Sequence, residues 1–241
     1  MNDYPFPFHG AALLALQSGA LHWPQERLLV VSDLHFGKPD RIARRGGTLL
    51  PPYATQDTLL RLEAIIEQSR ATTVIALGDS FDDLQAADDL AEAERLWLTR
   101  LMAGRRWIWI AGNHDPAPQR LGGSHLASFR YLGLTFRHIA DPATTGEVSG
   151  HYHPKARLAA HGHGMARPCF LLDETRIILP AFGTYTGGLA CDAPELLALM
   201  QPGALAVLTG PRVLTIPMPR PQGPAPALSR QGPAVGSSAS R

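Results

Sequence analysis

The sequence is poor in cysteine and in long apolar runs. It holds 2 cysteines in 241 residues, too few for a disulfide framework. Neither Cys169 nor Cys191 lies in a Cys-x-x-Cys pair of the kind that binds zinc or performs redox chemistry. No apolar run is long enough to cross a bilayer, and the N-terminus lacks the basic region and cleavage site of a secretory signal. We therefore expect a cytoplasmic protein whose two thiols are buried or incidental.

An excess of charge of either sign is also missing. The formal net charge of the whole chain is +1, and residues 217–241 contribute three arginines and no acid, so residues 1–216 carry −2. Overall charge therefore gives no indication of nucleic-acid binding, which would have to depend on a local basic patch. The content of 45% hydrophobic and 18% charged residues is ordinary for a soluble domain.

Length and composition indicate one domain followed by a tail. The length of 241 residues suits a single α/β domain, which we place at residues 1–216. From Pro217 onward the chain is rich in Pro, Gly, Ser and Ala and has few bulky apolar groups. We expect residues 217–241 to be disordered and to carry no catalytic residue.

Apolar runs and helical spacings alternate through the domain. Short strands are expected before residue 28, and further strands are predicted at 28–32, 72–77, 107–111, 134–138 and 175–179. Helices are predicted over 55–69, with Thr55 as the N-cap, and over 84–102. The stretch after Gly37 is expected to be a loop or a short helix ending at Gly46. The late strands favour mixed sheets over one doubly wound sheet.

Four short motifs place Asp, Asn or His directly after a strand-like run or a glycine turn. In chain order they are Asp33-Leu34-His35, Gly78-Asp79, Gly112-Asn113-His114-Asp115 and Gly150-His151-Tyr152-His153. Carboxylate oxygen, amide oxygen and neutral imidazole nitrogen are the ligands of hard or borderline divalent cations. Because ligands gather at the carboxyl ends of strands in an open α/β sheet, the motifs predict a shared dinuclear metal site.

This ordered set of motifs resembles the calcineurin-like metallophosphoesterase superfamily. The resemblance implies a four-layer α/β sandwich, in which two mixed β-sheets are flanked by helices. The ligands that it implies for one metal ion are Asp33, His35 and His153. Those that it implies for the other are Asn113, His138 and His151, and Asp79 would bridge both ions.

Two of these ligand assignments have alternatives. His138 stands in a stretch without a distinctive motif, and it could instead be a surface histidine at a strand end. The pair His161 and His163 competes with His151 and His153, and we favour the earlier pair because Gly150 precedes it as the superfamily pattern requires.

The resemblance also implies a hydrolytic mechanism. Two cations about 3.5–4 Å apart can share a hydroxide, lower its pKa toward roughly 7 and hold the oxygens of an in-line displacement at phosphorus. His114 would lie over the phosphate as a general acid. Asp115 could fix the tautomer of His114, or it could only cap a turn before Pro116. Manganese is the expected metal, with iron and zinc as alternatives that suit the same ligands.

Charged residues near the first two motifs provide candidate substrate contacts. Lys38, Arg41 and Arg44 could bind phosphates of a longer substrate, or they could form a solvated charge run. Asp82 and Asp83 could bond to groups behind the ligands, or they could be exposed loop carboxylates.

A narrower resemblance joins the chain to the ligase-associated DNA damage response endonucleases of the PdeM family. The segments that carry it are Asp33 to Lys38, Arg44 to Pro51, Gly150 to Pro154, Arg167 to Phe170 and Leu179 to Gly188. It implies a manganese-dependent phosphodiesterase of bacterial DNA repair that acts on single-stranded or damaged DNA, with a DNA ligase and a helicase as partners. Asp82 stands where that family usually has histidine, a departure that bears on leaving-group preference.

Two other functions remain open at this point. The mild charge favours a small-molecule phosphodiesterase or phosphatase that acts on nucleotides. A catalytically silent scaffold for a DNA ligase or helicase would keep the fold without the reaction, and the intact metal-binding motifs speak against it.

Overall fold

The structure, a computed structural model, describes residues 3–38, 53–82, 86, 88–115, 121–160 and 163–219. The helices in these residues are α1 (Ala54–Ser69), α2 (Glu92–Met102) and α3 (Pro194–Leu199). The strands are β1 (Tyr4–Phe8), β2 (Ala11–Ala15), β3 (Leu21–Trp23), β4 (Leu28–Val31), β5 (Thr73–Leu77), β6 (Arg106–Ile110), β7 (Ser124–Leu126), β8 (Ser128–Tyr131), β9 (Leu134–Arg137), β10 (Glu147–Ser149), β11 (Lys155–Ala160), β12 (His163–Leu172), β13 (Arg176–Ile178), β14 (Leu205–Leu208) and β15 (Leu214–Pro217).

The first sheet contains β1 to β7 in sequence order. Strands β1 to β4 pair antiparallel, whereas β4 to β7 pair parallel. Val31 lies opposite Ala76, and Leu77 lies opposite Ile110. Parallel pairing therefore brings the carboxyl ends of β4, β5 and β6, each followed by one of the first three motifs, to one edge of the sheet.

The second sheet has the order β15-β14-β12-β13-β10-β9-β8, with β11 paired to β12. Strand β10 is parallel to both β9 and β13, while the other pairs are antiparallel. His138 follows β9 directly and His151 follows β10 by two residues, so the neighbouring parallel strands deliver both histidines to the same end of this sheet.

The two sheets pack face to face, and helices cover their outer faces. The core between the sheets includes Val30 and Ile108 from the first sheet and Phe136 and Phe170 from the second. On the outer face of the first sheet, helices α1 and α2 bury side chains such as Leu62. On the outer face of the second sheet, α3 contributes its own buried residues. The predicted four-layer sandwich with two mixed sheets is confirmed.

Two helices begin at residues other than those predicted, and tertiary contacts accompany both differences. Helix α1 begins at Ala54 with Tyr53 as its N-cap, so the predicted N-cap Thr55 lies inside the first turn. Its Oγ1 accepts a hydrogen bond from Gly37 N over 3.2 Å. Helix α2 begins at Glu92 instead of residue 84. Ala86, inside the predicted helix, is buried against the Gly37 turn, so its segment packs over the first motif.

The last strand extends into the first residues of the predicted tail. Pro217, the first residue of the predicted tail, belongs to β15 and pairs with Leu205. Met218 is buried in the cluster around α3, and its backbone N–H bonds to Ala204. An apolar residue every second position lets β15 continue past the compositional boundary, while residues 220–241 lie outside the described residues. Within the part of the chain that the structure covers, no helix combines the length and apolarity needed to cross a membrane.

Candidate metal centre

The strand ends of both sheets meet in one cluster of metal-binding side chains. The first two motif loops also pair with each other, because His35 N donates to Asp79 O over 3.0 Å and Phe36 N donates to Ser80 O over 2.9 Å. Two groups of ligand atoms result, each with all its atoms within 4.8 Å of one another. The first group is Asp33, His35 and His153, and the second is Asp79, His138 and His151.

The first group has buried polar atoms without hydrogen-bond partners. Asp33 Oδ1 and His153 Nε2 lie 3.0 Å apart but do not bond, and His35 Nε2 is also buried and unpartnered. Buried polar atoms without a partner are costly unless something else satisfies them. Two ligands of one ion, each about 2.1 Å from it at a right angle, lie about 3 Å apart. The three side chains therefore fit a divalent cation.

Asp82 fixes the orientation of His35. His35 Nδ1 donates to Asp82 Oδ1 over 2.8 Å, and Asp82 is fully buried. With the proton held on Nδ1, the lone pair of Nε2 points toward the other two side chains of the group. Asp82 is thus no exposed loop carboxylate, and the signal in the sequence was only its position three residues beyond Asp79.

At the second group, four oxygen and nitrogen atoms that can bind a metal ion come together, one of them from Asn113. His138 Nδ1 donates to Leu77 O over 2.7 Å, so the Nε2 of the neutral ring is an acceptor. This Nε2 lies 2.9 Å from Asn113 Oδ1, 3.4 Å from Asp79 Oδ2 and 3.2 Å from His151 Nδ1. Oxygen and nitrogen atoms at these distances from one another fit a shared cation. His138 is only 4% exposed, which excludes the alternative of a surface histidine.

The electrostatics keep both carboxylates of the cluster ionised. Burial by itself would raise the pKa of Asp33, but the adjacent His153 outweighs burial and the pKa lies below its usual value. For Asp79, burial by itself would again raise the pKa, but the neighbouring imidazole of His138 and the backbone N–H of His114 outweigh burial and the pKa falls to about 2. Both carboxyls are therefore available as anionic ligands at neutral pH.

His114 and Asp115 make different contacts from those expected. His114 Nδ1 donates to the backbone carbonyl of Asp82 over 2.9 Å, and its backbone N donates to Asp79 Oδ1 over 2.8 Å. Asp115 Oδ2 instead accepts from Ser80 N and Phe81 N, over 3.0 and 3.2 Å. The expected contact of Asp115 on His114 is wrong, because Asp115 points back to hold the Asp79 loop. Burial raises the pKa of Asp115 to about 6.

The backbone of the cluster is strained. Five of its residues adopt positive φ angles, a region uncommon for residues other than glycine: Asp33 (53°), His35 (48°), Asp79 (44°), His151 (71°) and His153 (47°). Such conformations persist where the surroundings impose them, and they concentrate at functional sites. Here the Oδ2 of Asp33 accepts from His151 N over 3.0 Å, which joins the motif of one sheet to that of the other.

The glycines of the motifs allow this close packing. A Cβ at Gly112 would collide with the backbone N of Asp79, and one at Gly150 would collide with the hydroxyl of Ser32. Ser32 itself donates to Asp33 Oδ2, a contact that sequence reasoning did not anticipate. The glycine that precedes each of these two motifs is thus required by the contact between chain segments.

The remaining predicted site residues fall at or beyond the edge of the described chain. Lys38 is the last described residue after the first motif, and Arg41 and Arg44 lie outside the described residues. In the competing histidine pair, His161 also lies outside them and His163 begins β12. It is His151 and His153 that join the metal-binding groups.

Comparisons with known proteins agree with this geometry. The family model for calcineurin-like phosphoesterases matches residues 26–180, which contain all four motifs. No curated protein matches the sequence. Among solved structures, the chain is similar to the nuclease MPE of Pseudomonas putida at 28% sequence identity, with a TM-score of 0.69 over 89% of this chain and 100% of that one. That neighbour agrees with the narrower resemblance to the ligase-associated endonucleases.

The match covers more than half of the chain, and the two ligand groups supply the metal-binding chemistry that the family uses. The protein is therefore a metal-dependent phosphoesterase with divalent ions as cofactors, and a catalytically silent scaffold is set aside. The chain belongs to the calcineurin-like phosphoesterase family.

Proposed function

We propose that this protein is a dinuclear endonuclease that hydrolyses phosphodiester bonds of single-stranded or damaged DNA in DNA repair, with manganese as its native metal. The observation that carries the proposal is the pair of adjacent ligand groups, in a chain that is similar to a nuclease over 89% of its length. A DNA ligase and a helicase of the same pathway are the partners in this proposal.

Each ligand group would hold one ion. Asp33, His35 and His153 would bind the first, and Asn113, His138 and His151 the second. Asp79 would bridge the two ions. Its carboxylate belongs to the second group, 3.4 Å from His138 Nε2, and its backbone carbonyl accepts from His35 N, so its loop is bonded to the segment of the first group. When bound, the two ions supply a nucleophilic water at neutral pH and draw negative charge from the phosphate oxygens.

His114 would protonate the leaving oxygen. The carbonyl of Asp82 holds the Nδ1 proton, so Nε2 is the atom left to face a substrate, and it lies 4.0 Å from Asp79 Oδ2. The side chain is 33% exposed, which gives a phosphodiester access to it. In the imidazolium form, His114 would give its Nε2 proton to the departing oxygen as the P–O bond breaks. Lys38, Arg41 and Arg44 are proposed to contact the phosphates of the flanking strand.

The proposal is tested by cleavage of an end-labelled single-stranded oligonucleotide with manganese-loaded protein. The variant Asp79→Asn weakens the proposed bridging ligand, and Asp192→Asn makes the same chemical change at an exposed site. We expect cleavage by the wild type and by Asp192→Asn, and a loss of at least about 100-fold in Asp79→Asn. Equal cleavage by Asp79→Asn would trace the activity to a contaminant, and no cleavage by the wild type would reject a DNA substrate.

A second candidate is a phosphodiesterase of small nucleotides. A cavity of about 470 Å³ adjoins the second ligand group, lined by Asn113 and His138 together with Ser128 and Arg137. Its volume suits a mononucleotide. This candidate predicts that cyclic nucleotides or dinucleotide diesters are hydrolysed with a higher kcat/KM than an oligonucleotide of about 20 nucleotides under the same conditions.

A further inference from the structure

Two tyrosines lie exposed and next to each other. Tyr53 is 54% exposed and Tyr185 is 45% exposed, and their hydroxyl oxygens are 3.5 Å apart. No other Phe, Tyr or Trp side chain in the described part of the chain is as exposed as these two. Aromatic surface left in water at such a position is available to a partner with a flat apolar face.

Tyr185 is carried by a loop that is bonded to the first ligand group at both ends. At one end, Phe182 N donates to Ser32 O over 2.8 Å and Gly183 N donates to Asp33 O over 3.0 Å. At the other end, Leu189 N donates to Tyr152 O over 3.1 Å. Tyr185 therefore lies in the middle of a connection between the segments that carry Asp33 and His153.

Tyr53 is held beside the same group from another direction. It immediately precedes α1, whose second residue, Thr55, accepts a hydrogen bond from Gly37 N over 3.2 Å. Gly37 is two residues beyond His35, so the start of α1 is tied to the first motif. The two tyrosines thus come together from distant parts of the chain, each on a segment that is hydrogen-bonded to a segment of the first ligand group.

Helix α1 holds the loop of Tyr185 rigidly. Arg61 Nη2 donates to Phe182 O over 2.6 Å, and its guanidinium lies 4.9 Å from the centre of the Phe182 ring. Thr184 Oγ1 donates to Asp57 Oδ2 over 2.6 Å. Tyr185 itself has a φ of 57°, an outlier for a bulky residue that persists only where the surroundings impose it. A side chain on a backbone that is already held in place loses less conformational freedom when a ligand stacks on it.

We propose that Tyr53 and Tyr185 form a stacking platform for an unpaired nucleobase of the substrate. This inference rests on the proposed function, since it assigns the base next to a phosphate bound at the metal centre. Stacking on aromatic side chains accepts every base and needs the base to be free of a duplex. The platform would therefore select single-stranded over double-stranded nucleic acid without reading its sequence.

The test compares two strands of equal length and charge. One is a single-stranded oligonucleotide, and the other replaces every nucleotide by an abasic tetrahydrofuran phosphate. Equilibrium binding is measured by fluorescence anisotropy with manganese-loaded proteins that all carry His114→Ala to slow cleavage. Cleavage itself is measured with manganese in proteins that keep His114. The variants are Tyr185→Ala, Tyr185→Phe and the control Leu60→Ala, which shortens an exposed side chain of α1. Thermal unfolding checks that each variant is folded.

We expect the wild type, Tyr185→Phe and Leu60→Ala to bind the base-bearing strand roughly 5- to 150-fold more tightly than the abasic strand. Tyr185→Ala should lose most of this preference and bind the abasic strand as the wild type does. An unchanged preference in Tyr185→Ala, or no preference in the wild type, would overturn the platform. Base-dependent binding without cleavage would reject the endonuclease and leave the platform intact. Cleavage without a preference for the base-bearing strand would support the endonuclease and reject the platform.

Discussion

At the scale of single residues, the metal centre depends on side chains that are not themselves ligands. Asp82 holds the Nδ1 proton of His35, and its backbone carbonyl holds the Nδ1 proton of His114. One residue thus sets the tautomer of a proposed metal ligand and of the proposed general acid. Its carboxylate is fully buried, where a polar group needs hydrogen-bond partners, and His35 is one of them.

The variant Asp82→Asn should weaken metal binding without removing a ligand. The amide can accept from His35 as the carboxylate does, but it loses the charge that makes the imidazole a stronger ligand. We expect the manganese concentration for half-maximal activity to rise about 10- to 100-fold. Asp192→Asn serves as the control, and an unchanged manganese requirement in Asp82→Asn would contradict the role of this contact.

The variant His114→Ala separates proton transfer from metal binding. Loss of a general acid should lower kcat about 100- to 10,000-fold for a substrate with an alkoxide leaving group. The loss should be much smaller for a para-nitrophenyl diester, because nitrophenolate departs without a proton. Metal content is measured in parallel. Equal losses of kcat on both substrates would contradict the role of His114 as general acid.

At the scale of elements, a buried ion network joins three neighbouring strands of the second sheet. Glu147 in β10 is fully buried and accepts from Asp141 N, over 3.0 and 3.2 Å. Arg137 in β9 lies 3.3 Å from its carboxylate, and Arg176 in β13 lies 3.5 Å away. Burial raises the pKa of Glu147, and these cations oppose that shift. The network sets β9, β10 and β13 side by side, which places His138 and His151.

The variant Glu147→Gln should destabilise the fold strongly. It leaves two guanidinium groups without their buried counter-charge, a change that costs about 3–5 kcal/mol in the free energy of unfolding. Glu63→Gln removes the partner of Arg100 at an exposed pair, and the loss there should stay below about 1 kcal/mol. Urea unfolding of both variants measures the difference, and equal losses would contradict the argument.

The helices and strands also show which boundaries and contacts a sequence pattern predicts and which it does not. The strand predictions for β4, β5 and β6 are confirmed within a residue or two, because each strand is buried on both faces and reads as a continuous apolar run. The start of α2 could not be predicted, since the packing of Ala86 on Gly37 is a contact between segments almost fifty residues apart. Asp57 and Arg61 look like a surface i,i+4 pair, yet they hold the loop after β13.

At the scale of the whole molecule, neither sheet holds a complete metal centre. Asp33, Asp79 and Asn113 follow strands of the first sheet, whereas the proposed histidine ligands His138, His151 and His153 follow strands of the second. The core between the sheets therefore determines the distance between donor atoms. Metal binding should in turn stabilise the contact between the sheets, because the ions bind the folded arrangement and not the unfolded chain.

Removal of metal by a chelator should lower the melting temperature reversibly. A metal ion at 1,000 times its dissociation constant stabilises the fold by about 4 kcal/mol, equivalent to roughly 8–16 °C in a protein of this size. Protonation of the histidine ligands competes with metal, so this stabilisation should shrink as the pH falls below about 6.5. Calorimetry with and without manganese at pH 8 and pH 5.5 measures both effects, and a metal-independent melting temperature would contradict them.

The sequence by itself determined which side chains are candidates to bind metal and at which strand ends they lie. Those features are local: a buried apolar run is followed within a few residues by Asp, Asn or His, and a glycine permits the turn. The ordered motifs predicted the sandwich and the metal-dependent chemistry, and only tertiary structure could add the contacts that complete the site. Contacts between segments far apart in the chain produce the burial of His138, the bond from His35 to Asp82, the loop of Tyr185 and the continuation of β15 into Met218. Such contacts do not change the hydrophobic periodicity of either segment, so the sequence pattern does not reveal them.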